Sequence, residues 1–169
     1  MQRTTVVLIA LGVIGGMVGA VVGLSQHLQH PSPVKSGVFD TIPEDIGRRT
    51  YVMCMACHGV DGRGIAGFTP GLAGSARLTG DPRQAILIAL HGFDSSREPG
   101  ATYYNAQMVG FGHTLNDTEI AALLSWLRSQ WGNHGSAVTA AQVGSLRSLH
   151  GNRQQPWTPA ALRTELQAP

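Results

Sequence analysis

The stretch Cys54-Met55-Ala56-Cys57-His58 holds both cysteines of this 169-residue chain, with a histidine directly behind the second. Three chemistries use thiols at this spacing: a redox dithiol, a structural zinc site and covalent attachment of a haem. Each commits the chain to a different fold. A thioredoxin-like dithiol is expected in a βαβ setting, and no segment here alternates convincingly as a strand. A structural zinc site usually needs four protein ligands, whereas the motif offers two thiols and an adjacent histidine whose side chain points elsewhere. C-x-x-C-H is the attachment pattern of a c-type haem. Two thioether bonds at the end of one helical turn clamp neighbouring edges of the macrocycle, and the imidazole of the next residue lands under the iron. Cys54 and Cys57 then hold one haem c, and His58 is its proximal ligand.

The amino terminus supplies a second constraint. After Met1-Gln2-Arg3, residues 4–24 read TTVVLIALGVIGGMVGAVVGL without a charge. About 20 apolar residues in a helix cross the hydrocarbon layer of a bilayer, so this run is read as a transmembrane anchor. The competing reading is a cleaved signal peptide with Val18-Gly19-Ala20 at its cleavage site. Arg3 stays cytoplasmic in either case, which places the rest of the chain across the inner membrane, in the periplasm. Gly12 with Gly16, and Gly15 with Gly19 and Gly23, form small-residue rows that fit a partner helix. Residues 25–40, with Pro31 and Pro33, read as a linker.

Residues 41–133 form the expected haem domain, all-α with long loops. Pro43, Glu44 and Asp45 suit the first turn of a helix that the cysteine pair closes. Asp81-Pro82 starts a second helix that Gly92 stops. Asn116 and Glu119 have capping-box spacing before Ile120, Leu123, Leu124 and Leu127, on a helix expected to end at Gly132-Asn133. With formally +2 net charge, one lysine and scattered arginines, the chain has no basic stripe for nucleic acid. From Asp40 to Trp131, nine acidic residues against seven arginines leave −2, too little for strong electrostatic steering of a partner.

Residues 42–133 resemble a class I bacterial cytochrome c. The likeness rests on the C-x-x-C-H motif, on Gly47 and Tyr51 facing Trp126 where that family crosses its first and last helices, and on Gly59-Val60-Asp61-Gly62-Arg63-Gly64 after the histidine. Thr69-Pro70-Gly71-Leu72 resembles the segment whose proline carbonyl accepts a hydrogen bond from the proximal imidazole. Met1 and Met17 belong to the anchor, and Met53 and Met55 flank a haem-bound cysteine. That leaves Met108, where the family places its distal ligand; the family usually shows Met-Pro-x-Phe, and here Val109 replaces the proline. His91 and His113 are rival ligands, and a bis-histidine haem has the lower potential. His/Met ligation raises the potential and fills both axial sites, which suits electron transfer and closes the iron to substrates.

Residues 134–169 extend beyond that core. Thr139 to Gln142 has capping-box form, and Thr158-Pro159 starts another short helix. These capped apolar helices are expected to pack on the haem domain or on another subunit. Tails with a W-T-P-like segment resemble those of cytochromes that accompany periplasmic sugar, alcohol and aldehyde dehydrogenases. The expectation is an electron carrier, not an enzyme, passing electrons from a periplasmic dehydrogenase to the respiratory chain. A free-standing shuttle between a quinol-oxidising complex and a terminal oxidase is the alternative, with an open-site haem enzyme or gas sensor behind it.

Overall fold

A missing side chain sets how the first and last helices of the domain cross. In a computed structural model, which describes residues 42–97 and 107–168, helix α1 (Ile42–Thr50) makes its main contact with α5 (Asp117–Leu127), the most extensive contact between any two elements. A Cβ on Gly47 would stand 2.6 Å from Trp126 Cβ and closer still to the Ala122 carbonyl oxygen. Glycine therefore lets two backbones meet where any side chain would hold them apart.

After a turn at Tyr51 the chain resumes as α2 (Val52–His58). The Tyr51 carbonyl accepts from both Cys54 N (2.8 Å) and Met55 N (3.1 Å), so the thiols remain on nearly continuous helix. The short helix α3 (Ala76–Thr79) leads into α4 (Pro82–His91). Asp81 caps α4 by accepting from Arg83 N at 2.9 Å, with Pro82 at its first position. Helix α5 starts on the Asn116–Glu119 capping box, both halves of which form. Its apolar face joins Tyr51, Leu78, Ile86 and Leu90 in one buried cluster that Val143 of the tail completes.

Two expectations need correction. The helix expected to run to Gly132-Asn133 ends at Leu127. There Asn133 Nδ2 donates to Leu127 O (2.9 Å), and the buried Arg128 side chain turns away to donate to the carbonyls of Leu78, Gly80 and Ser136. The haem domain is also not purely helical: β1 (Gly92–Asp94) pairs antiparallel with β2 (Gln107–Val109), with Phe93 opposite Met108. Three-residue strands are too short for a period of two to show in sequence.

The tail forms α6 (Ala140–Leu149), on a complete Thr139–Gln142 capping box, and α7 (Pro159–Gln167). Both pack on the same body, with Val143, Trp157 and Leu162 buried. Among the described residues no helix is long and apolar enough to cross a membrane. The charge-free run 4–24, its glycine rows and the linker 25–40 lie outside the described residues.

Candidate haem-attachment site

Helix α2 carries the two thiols one turn apart, Cys54 half-buried and Cys57 exposed, both free. Burial first, then the neighbouring Cys57, pushes the Cys54 thiol up to about 11. A redox dithiol needs the opposite direction, a thiolate stabilised near neutral pH. Among the described residues no three His, Cys, Asp or Glu side chains gather to hold a metal ion.

His58 ends α2, and the loop that follows turns back to hold its ring. His58 Nδ1 lies 3.0 Å from the Pro70 carbonyl oxygen. Burial lowers the pKa of His58, and the Pro70 bond opposes that shift. In the neutral ring Nδ1–H donates to Pro70 and Nε2 keeps its lone pair, the arrangement a metal-ligating imidazole requires.

The loop's shape is over-determined. Gly64 N donates to His58 O (2.9 Å), Thr69 Oγ1 donates to Cys57 O, and Ile65 N donates to Thr69 O (3.1 Å). Leu72 N and Ala73 N both donate to Gly62 O. Gly62 has φ +67°, and a Cβ there would meet Trp131 Cζ3 at 2.5 Å. Buried Asn133 ties the loop to the end of α5, accepting from Gly74 N (2.8 Å) and donating to Leu72 O (3.1 Å). Tyr51, Trp126 and Trp131 form an aromatic cluster of tilted and edge-on rings with centroids 5.1–5.6 Å apart. The Tyr51 hydroxyl donates to Gly59 O at 2.5 Å.

The residues present fit a covalently held haem. Val52, Met53, Val60, Ile65 and Phe68 are five of the seven large apolar side chains left exposed among the described residues, and all lie on the stretch bearing the thiols and imidazole. An apolar macrocycle laid there would take such surface out of water. When bound, haem supplies a one-electron couple at its iron.

Met108 sits on β2, half-buried against a cluster of Leu87, Phe93, Trp157 and Leu162. Cys54, Cys57, His58 and Pro70 are thus brought together by one helix and one loop, and Met108 is presented separately by the ribbon. Of the rival ligands, His113 is exposed. His91 stacks edge-on with His150 and Trp157 beneath the tail. Thr69, Trp131 and Asn133 were not singled out as site residues from sequence. The one sequence signal near Trp131 and Asn133 is Gly132-Asn133, expected only as a helix stop.

These features define a small helical protein that carries electrons on covalently attached haem c. Residues 45–131, more than half of the chain, match the cytochrome c family model. The chain belongs to the cytochrome c family, and its relatives are cytochromes and cytochrome c subunits of dehydrogenases. It is 33% identical over 118 residues to cytochrome c-552 of Thermus thermophilus, across 64% of this chain and 89% of that protein. It is 38% identical over 105 residues to the gluconate 2-dehydrogenase cytochrome c subunit of Pantoea cypripedii, across 60% of this chain and 24% of that subunit. The alcohol dehydrogenase (quinone) cytochrome c subunit of Gluconacetobacter polyoxogenes is 36% identical over 107 residues, with 60% and 22% covered.

Proposed function

We propose that this protein is a membrane-anchored, periplasmic mono-haem cytochrome that takes single electrons from a dehydrogenase and passes them to the respiratory chain. Cys54 and Cys57 carry the thioether links, His58 is the proximal ligand oriented by the Pro70 carbonyl, and Met108 is the distal ligand. The observation that carries the reading is the His58–Pro70 bond at 3.0 Å, because it fixes ring orientation and tautomer one residue beyond the attachment cysteines. The charge-free run 4–24 supports anchoring in the cytoplasmic membrane and a position across it for the haem domain. The likeness to gluconate and alcohol dehydrogenase cytochrome subunits supports a dehydrogenase donor.

A free shuttle is the second reading, and the likeness to cytochrome c-552 of Thermus thermophilus, which is not named as a dehydrogenase subunit, is compatible with it. Mild detergent solubilisation and tagged purification, followed by mass spectrometry, separate the two. A dehydrogenase recovered in stoichiometric amount supports the first reading. The haem protein recovered alone, yet still reduced and reoxidised by membranes, supports the shuttle. For the distal ligand, wild type is expected to show the red-region methionine-to-iron band and Met108→Ala to lose it. A wild type without the band refutes Met108 ligation.

A further inference from the structure

The tail lies beyond the family match, which ends at residue 131, yet it holds both the strand paired with the one that carries Met108 and the segment that follows Met108. The first hold is on the ribbon. Trp157 N donates to Gly92 O (3.0 Å) and Asp94 N donates to Trp157 O (2.8 Å), so β1 runs between β2 and the tail backbone. The Trp157 indole is buried against Phe93, the residue opposite Met108, and Met108 itself packs on that cluster. The second hold is on the segment that leaves β2. Arg147 of α6 donates from Nη2 to Leu115 O (2.8 Å) and from Nη1 to Gly112 O, and its Nε meets Asp117 Oδ1 at 2.7 Å. One guanidinium thereby fixes three points within nine residues of Met108.

We infer that the C-terminal extension is a clamp on the sixth-ligand strand, with Arg147 and Trp157 as positioning residues that keep Met108 in place. The residue after Met108 is valine, whose backbone has no ring to fix φ, so the strand's rigidity has to come from its neighbours. The ribbon has only three pairs, too few to be rigid alone. The guanidinium fork supplies directional bonds that a flexible ammonium would not. The inference rests on the reading of Met108 as the distal ligand.

The test uses full-length, haem-loaded protein and an added iron ligand as the probe. Affinity of the ferric form for imidazole is measured in wild type, Arg147→Gln, Trp157→Leu and Met108→Ala. Arg83→Gln is the control, since Arg83 Nη2 ties α7 through Leu166 O (2.9 Å) without touching the β2 segment. Arg147→Gln and Trp157→Leu are expected to bind imidazole at least tenfold more tightly than wild type. They should also show faster amide exchange over residues 107–112, and Arg83→Gln should match wild type. Wild-type affinity in both variants overturns the clamp, and so does an equal gain in Arg83→Gln, which would mean general loosening. Should Trp157→Leu fail to fold, Arg147→Gln decides alone. If wild type already binds imidazole as tightly as Met108→Ala, the ligand reading falls and takes the clamp with it.

Discussion

Gly47→Ala adds one methyl group and should still unfold the domain more readily. Two effects oppose each other. Inside a helix alanine is favoured over glycine by about 1 kcal/mol, which alone would stabilise α1. Against this, the new Cβ would stand 2.6 Å from Trp126 Cβ and nearer still to the Ala122 carbonyl oxygen. Comfortable separation between such atoms is about 3.5–4.0 Å, so α1 and α5 must part by about 1 Å. Neither neighbour is the loose end of a side chain. One is backbone and the other is the root of an indole packed on Tyr51 and Trp131. Forcing an extra methyl into a packed contact costs about 1–3 kcal/mol. Because this is the most extensive contact between two elements of the described residues, the upper part of that range applies, leaving a net loss of about 1–2 kcal/mol. For a folded unit spanning Thr41–Pro169, that is a fall in Tm of about 4–8 °C.

Thermal melting of the haem-loaded protein measures the effect, with Gly144→Ala as the matched comparison. Gly144 is also inside a helix, but a Cβ there meets only the far end of the Asp117 side chain, Oδ2 at 2.8 Å, which can shift by a few tenths of an ångström while Oδ1 keeps its ion pair with Arg147. Gly144→Ala is expected to melt at or slightly above wild type. If Gly47→Ala does the same, the crossing is not limited by that contact and the reasoning fails.

Asn133→Ala should raise the midpoint potential, because the Leu72–Gly74 backbone beside Pro70 loses its tie to α5. A weaker Nδ1–H bond makes His58 a poorer donor to ferric iron. A tenfold loss of ferric preference reads as about 59 mV in a spectroelectrochemical titration, and an unchanged potential in fully loaded protein counts against the linkage. Acid should loosen the docked tail through His91, whose pKa is lowered from 6.5 chiefly by burial and further by His150, Arg153 and His113 nearby, against an opposing Arg153 backbone bond. The unfolded chain takes up this proton near pH 6.5 and the folded one resists it. The contribution is therefore complete above about 6.5 and declines as pH falls through the folded pKa. Tm measured from pH 7.5 to 5 should drop on the acid side, and His91→Gln should flatten the drop. An identical slope in the variant assigns the effect elsewhere.

What the sequence made legible and what it hid divide by the range of the interactions involved. The capping boxes at Asn116–Glu119 and Thr139–Gln142, the Asp81-Pro82 start and the attachment motif each lie within five residues, so their physics is complete in a short window. The Gly47–Trp126 crossing spans the domain, and the family resemblance pointed to it. Hidden were contacts whose two ends are far apart and individually ordinary. Asn133 reaches back 59 and 61 residues to Gly74 and Leu72, and Arg128 reaches back 50 to Leu78. Nothing about a lone arginine or asparagine announces a buried role, since both are usually solvated. The ribbon escaped notice because its strands have three residues each, and the tail's edge bond escaped because it is made by one residue, Trp157. Local chemistry thus marks where a haem attaches, while the long-range polar bonds set how firmly its neighbours are held. The same division explains why the thiols and proximal histidine are legible from five residues alone. The surroundings of Met108 depend on β1, Arg147 and Trp157 together.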